Sequence, residues 1–145
     1  MLVLTDRISP NLELSIDFYL PLTAEQRTRS RQSLTLEAGE PIYLRLPRGT
    51  VLNEGDLLTS ATQSPIVQII AQPEPVLTIT AENQLDLIRA AYHLGNRHVA
   101  VEITSSYLKI APDSVLQSML TQLGLKIKSE VTPFYPESGA YGHHH

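Results

Sequence analysis

Apolar and polar residues alternate along the first half of the chain. In NLELSIDFYL, Leu12, Leu14, Ile16, Phe18 and Leu20 fall on one face, and Glu13, Ser15, Asp17 and Tyr19 on the other. That period of two predicts a half-buried strand. QSLTLEAGEPIYLRL repeats it, with Leu34 and Leu36 before a turn at Ala38-Gly39-Glu40 and Ile42, Leu44 and Leu46 after it. The two runs predict a hairpin. Gly49 in LPRGT and Gly55 in LNEGD mark further turns, and SPIVQII reads as another strand. Residues 1–74 are therefore expected to form an all-β domain, a small barrel or sandwich.

The rhythm changes after AQPEPV, where Pro73 and Pro75 favour an extended connector. A strand, VLTIT, precedes AENQLDLIRAAYHLG, in which Ala81, Leu85, Ile88 and Tyr92 recur at helical spacing and Glu82, Asp86, Arg89 and His93 form the polar face. Thr80 fits the N-cap and Gly95 the residue just past the helix. Strands HVAVEIT (Val99, Val101 and Ile103 on one face) and YLKI follow. A second helix is expected in PDSVLQSMLTQLG, with Pro112 or Ser114 in its first turn. Val115, Met119 and Leu123 form its apolar stripe and Gly124 ends it. LKIKSEV returns to period two. The order β-α-β-β-α-β predicts an α+β, ferredoxin-like (βαββαβ) domain over residues 75–145. Its end, TPFYPESGAYGHHH, has no periodicity and is expected to be a flexible tail from about residue 133.

Composition narrows the choice of function. With 145 residues, 42% of them hydrophobic, the chain can bury a core, yet each half is small enough for that core to be marginal. Marginal cores mildly favour a dimer. A net charge of -4 and the lack of tryptophan give no support to nucleic-acid binding or an anionic membrane as partner. There is no cysteine, hence no disulfide or thiolate metal site, which fits a cytoplasmic location. The start, MLVLTDRISPN, lacks the pattern of a secretion signal, and no stretch is long enough to span a bilayer.

Five histidines carry the remaining chemistry. His98 follows the glycine of GNRH and by alternation points with Ala100 and Glu102, away from Val99 and Val101. It is either a solvated or backbone-bonded loop residue or a metal ligand. One imidazole makes a weak divalent site, and two brought together by a two-fold axis make a better one. His93 sits with Asp86 and Arg89 on a polar ladder and reads as solvated. His143, His144 and His145 end the chain, and consecutive neutral imidazoles suit nickel, copper or zinc, although such a run also resembles the remnant of a purification tag. No GxSxG, GxxxxGK[ST] or GxGxxG is present, and no carboxylates are spaced for coupled acid-base work. Asn96 and Arg97 resemble the pair of small acylphosphatases, but the phosphate-cradling glycine loop is missing. An enzyme is not expected.

Several segments in order resemble one family, the urease accessory protein UreE, a nickel metallochaperone. SLTLEAGEPIYLRLPRGTVLNEGDLL is similar to its N-terminal domain, AYHLGNRHVAVEI to its helix-to-strand junction, and VLQSMLTQLGL with PFYPESGAYGHHH to its last helix and tail. The resemblance implies a β-rich partner- or peptide-binding domain, then a ferredoxin-like domain that binds metal and forms a homodimer. It implies that His98 meets its symmetry mate there and binds Ni²⁺, with His143, His144 and His145 as further ligands, native rather than tag. Zn²⁺ or Cu²⁺ would bind in vitro. The implied receiver is the UreG GTPase within the urease activation complex. YLKIAPDSVL lacks the additional histidines some members carry before the last helix, and the tail is short, so neither a secondary site nor a large nickel store is expected. Because imidazole binds metal only when neutral, affinity is expected to fall as pH drops through about 6.5. The alternative is a protein-interaction module without a specific metal role.

Overall fold

A computed structural model describes residues 1–11, 13–36 and 39–137. The chain divides into two compact units, Met1–Ala71 and Gln72–His145. In the first, the strands are β1 (Leu2–Leu4), β2 (Asp6–Ile8), β3 (Phe18–Leu22), β4 (Arg31–Thr35), β5 (Pro41–Arg45), β6 (Leu57–Thr59) and β7 (Val67–Ala71), with one short helix, α1 (Ala24–Arg27), between β3 and β4. They build two sheets, ordered β1-β5-β4 and β2-β6-β7-β3. The hairpin of β4 and β5 pairs Leu34 with Ile42 and Gln32 with Leu44. Gly39 reaches φ +85° at its turn, a left-handed conformation open to glycine at little cost. Leu4, Leu20, Leu22, Ile42, Leu44, Leu58 and Ile69 come from both sheets into one buried cluster.

Two expectations for this unit are corrected. The unit is β-rich but not all-β, because LTAEQR nucleates α1. The Thr23 side chain accepts from the Gln26 amide while the Gln26 side chain accepts from the Thr23 amide, a reciprocal cap. The strand expected over residues 12–20 is hydrogen-bonded as a strand only from Phe18 to Leu22. Upstream, the Asn11 side-chain oxygen accepts from the Glu13 amide at 2.9 Å and its carbonyl from the Leu14 amide at 3.0 Å, so the chain turns there instead of pairing. Leu14 and Ile16 remain half-buried, so the in-and-out alternation outlasts the ladder.

The second unit contains β8 (Glu74–Thr80), α2 (Gln84–Asn96), β9 (Glu102–Ile103), β10 (Leu108–Ile110), α3 (Ser114–Gln122) and β11 (Lys126–Thr132). Its four strands lie in the order β11-β8-β10-β9, with every neighbouring pair antiparallel. Pro75, expected in a connector, is the second residue of β8, opposite Val131. β10 pairs with β8 only from Leu77 to Ile79, so the missing proline N–H leaves no gap in that ladder. Both helices pack on one face of the sheet: Leu87, Ala90 and Leu94 of α2 and Leu116 and Leu120 of α3 join Leu77, Ile79, Leu108 and Ile110 in one core.

Of the helical stripes expected to face that core, Ala81 and Met119 pack against it and the rest face outward. Leu85, Ile88 and Tyr92 of α2 are 54%, 59% and 66% exposed, and Val115 and Leu123 of α3 are exposed as well. Each helix carries two apolar stripes at helical spacing, and periodicity alone does not say which one meets the sheet. Ala90, all but fully buried, marks the inward line of α2, where a small side chain lets the helix lie close to the strands. The caps shift too. Asn83, not Thr80, caps α2 through a side-chain bond from the Asp86 amide, and Asp113 caps α3 through one from the Leu116 amide.

Candidate metal centre

The last turn of α2 sets the position of His98. Gly95, expected to lie past the helix, is inside it, and the helix closes over the next three residues. The His98 amide donates to the Gly95 carbonyl at 3.0 Å and the Val99 amide to the Leu94 carbonyl at 3.2 Å. This pair of bonds is the Schellman closure, whose turning residue adopts the left-handed conformation and is most often glycine. Here that residue is His98, at φ +57°. Only Gln63 shares a positive φ among the described non-glycine residues. The closure is driven by packing, since Leu94 is fully buried and Val99 rests against the same core. His98 itself is exposed. The sheet begins only at Glu102, so its side chain is set by the helix end, not by strand alternation.

His93 lies one turn back, half-buried, its ring edge-on to Tyr92 with centroids 5.5 Å apart, and its carbonyl accepts from the Arg97 guanidinium at 3.4 Å. His143, His144 and His145 lie outside the described residues. Among the described residues, no three or more His, Asp or Glu side chains gather to hold a metal ion. One copy of the chain thus assembles no set of three or more described ligands around His98.

The carboxylate expected to share the solvated side of the strand with His98 is instead turned in. Glu102 is 7% exposed. One of its oxygens accepts from the Tyr135 amide at 2.8 Å and the other from the Tyr107 hydroxyl at 3.3 Å. Burial raises the pKa of the Tyr107 hydroxyl, and the Glu102 charge and hydrogen bond raise it further, as does the charge on Glu130. Two residues beyond Tyr135, the Glu137 amide donates to the Val101 carbonyl at 2.8 Å, and Phe134 is 1% exposed. The segment from Pro133 to Glu137, where the flexible tail was expected to begin, is held by these two amide bonds and by buried Phe134, while Tyr135 and Glu137 stay exposed. Its buried aromatic ring was legible as FYP in the sequence but carries no periodicity to betray it.

Fold and site define a class: a small protein of two β-rich units, the second presenting one imidazole to solvent from a helix end. Residues 4–71 match the N-terminal domain of the UreE urease accessory protein and residues 74–145 its C-terminal domain. The urease accessory protein UreE of Nostoc sp. is 55% identical over 145 residues, spanning 100% of this chain and 99% of its own length. That of Nostoc punctiforme is 54% identical, over 100% and 98%. That of Burkholderia vietnamiensis is 46% identical over 150 residues, spanning 100% of this chain and 74% of its own length. The chain belongs to the UreE urease accessory protein family, whose name places it in urease maturation. No helix among the described residues is long and apolar enough to cross a membrane.

Proposed function

We propose that this chain is a nickel carrier for urease maturation and not an enzyme, acting in the cytoplasm as a homodimer joined through its second unit. The observation that carries the reading is His98 in a left-handed helix-closing position where α3 has Gly124 (φ +57° against +87°). Non-glycine residues pay about 1–2 kcal/mol in that region, and histidine there points to a task for the imidazole. Two copies supply two such imidazoles to one Ni²⁺, and His143, His144 or His145 complete the coordination. Ligands on an end segment exchange one at a time, which suits handing the ion to the UreG GTPase of the urease activation complex. Zn²⁺ or Cu²⁺ would compete in vitro, since imidazole does not select nickel by itself.

The outward stripe of α2 supports the dimer. Leu85, Ile88 and Tyr92 recur on one helix face and stand more than half exposed, and each large apolar side chain left in water forgoes roughly 1.5–3 kcal/mol of burial. His98 follows the end of the same helix, so a second copy that covers the Tyr92 end of this stripe with the helix ends together would bring its own His98 nearby. The element order β-α-β-β-α-β and the strand order β11-β8-β10-β9 support a ferredoxin-like arrangement for this unit. By resemblance the first unit serves partner binding.

A second reading, an interaction module without a metal role, draws on one observation. The first unit carries an open cavity of about 310 Å³ lined by Pro10, Asn11, Leu14, Ile16, Leu57 and Gln68, room for a partner's side chain. Nickel calorimetry on the chain ended at Gly142, with and without His98→Ala, alongside the mass in solution, separates the two. One nickel per two chains, lost on substitution while the dimer persists, is the result expected of a carrier. Equal binding by both proteins, or none by either, leaves the interaction module.

A further inference from the structure

We infer that the outer face and free edge of the β1-β5-β4 sheet, at Arg31 and Arg45, take an extended acidic segment of a partner protein. The inference rests on the reading of the first unit as partner-binding and does not depend on nickel, so its failure leaves the metal role standing. Arg31 of β4 lies directly opposite Arg45 of β5. The Leu46 amide donates to the Ser30 carbonyl at 2.9 Å and the Leu36 amide to the Glu40 carbonyl at 3.4 Å, so the hydrogen-bonded pairs fall on every second residue of β4 from Ser30 to Leu36. Arg31 and Arg45 therefore face each other between those bonds, in the kind of pair whose side chains stand closest. Like charges placed so destabilise a sheet, and this is the one cross-strand pair of like charge among the described residues. Arg7, Arg29 and Arg89 each have a carboxylate partner, in Asp56, Glu25 and Asp86. No described carboxylate pairs with Arg31 or Arg45, in a chain whose net charge is -4.

The surroundings of the pair suit a chain segment. β4 is an edge strand of its sheet. Since Gln32 and Leu34 take the bonds to β5, the N–H and C=O groups of Arg31, Ser33 and Thr35 point along the free edge, and no described group pairs with them. These three residues are exposed, and they stand on the outer face because Leu34, Ile42 and Leu44 turn to the core. On the same face the Arg45 guanidinium lies 5.9 Å from the centre of the half-buried Tyr43 ring, a contact that steadies it against the sheet. A strand added beside β4 bonds to the edge through its backbone and turns every second side chain to this face. Carboxylates at those alternate positions meet the two guanidiniums, each of which offers a fork of N–H donors. Their arrival removes the repulsion that the sheet carries when the face is bare.

The test uses the full chain and a short synthetic peptide in which glutamate alternates with threonine, beside the same peptide with glutamine for glutamate. Affinity is read by NMR titration, and amide hydrogen exchange is followed with and without peptide. The glutamate peptide should slow exchange at Ser33 and Thr35, and its glutamine form should bind about fivefold or more weakly. Arg31→Gln and Arg45→Gln should each weaken the glutamate peptide about fivefold, and Arg45→Lys, which keeps the charge but not the fork, by less. Arg31→Gln stands in if Arg45→Gln does not fold. Raising the ionic strength from about 0.01 M to about 0.15 M should weaken binding as well. Lys126→Gln, the same charge change on β11, should leave the affinity unchanged. An equal loss in Lys126→Gln would trace binding to net charge and overturn the inference. Binding without protection of Ser33 and Thr35 would overturn it too, as would a peptide bound no better than inorganic phosphate. If Arg31→Gln makes the chain self-associate while peptide binding is unchanged, the arginine only keeps the edges of two copies apart, and the inference falls.

Discussion

At the end of α3, Gly124 takes the left-handed residue of the helix closure, with its amide bonded to the Thr121 carbonyl at 3.0 Å and the Leu125 amide to the Leu120 carbonyl at 3.1 Å. At the end of α2, the same two bonds are made by His98 and Val99. The helices occupy corresponding places in the unit, each leading from one strand of the sheet toward another, and each closure is pinned by a buried leucine, Leu120 or Leu94. Only the turning residue differs. Glycine is what stability alone favours there. Histidine is among the side chains that tolerate the position best, yet it still pays for it, and in return its ring is carried by a rigid helix end instead of a loop. The contrast marks His98 as the place where this unit accepts a costlier turning residue, a cost the proposed metal role would explain.

The largest effect that would test the contrast is on metal. His98→Gly should restore the closure seen in α3 and, with the tail histidines replaced, weaken nickel binding on the order of 100-fold or more by calorimetry. Unchanged binding would mean the two ends differ for no metal-related reason. Next is assembly: Ile88→Glu, on the outward stripe of α2, should halve the mass in solution, since a charge at the centre of an apolar contact is costly to desolvate. Stability changes are smaller and of opposite sign at the two ends. Gly124→Ala should destabilise by roughly 1–2 kcal/mol in urea titrations, through conformation alone, because nothing lies within 4 Å of the added carbon. His98→Gly should stabilise by about 0.5–1 kcal/mol, the relief of the left-handed cost less the greater freedom of glycine in the unfolded chain.

The smallest effect is a control remote from both helix ends. Hydrogen bonds from Thr78, at 2.5 Å, and from Lys128 hold the Glu130 carboxyl below its ordinary value. A carboxyl depressed on folding adds stability above its unfolded pKa and loses it as pH falls through the folded one. Glu130→Gln should therefore lower stability slightly at neutral pH and leave it unchanged in acid, which flattens the acid-side decline below about pH 4.5. A steeper decline would contradict the assignment.

The β4–β5 hairpin, the strands of the second unit, the glycine stop at Gly124 and the histidine after GNR were legible because period, turn chemistry and residue type are local properties of the chain. The one-turn helix α1 was legible too, in the T-x-x-Q of its cap, although the alternation around it drew the eye elsewhere. Local pattern stops at phase. Leu85, Ile88 and Tyr92 satisfy helical spacing as well as Leu87, Ala90 and Leu94 do, and only packing on the sheet decides which set is buried.

Local pattern likewise offered Gly95 as the end of α2. The three-dimensional requirement that Leu94 and Val99 both reach one core moved the closure to His98. Glu102 is the clearest case. No local period announces a buried carboxylate, because one partner, the Tyr135 amide, arrives from 33 residues away. From the sequence alone come the order of elements in the second unit, the β4–β5 hairpin and the imidazole. Which faces are buried, which residue ends the helix and what holds Pro133 to Glu137 were decided by tertiary structure, because each depends on long-range packing that no local period encodes.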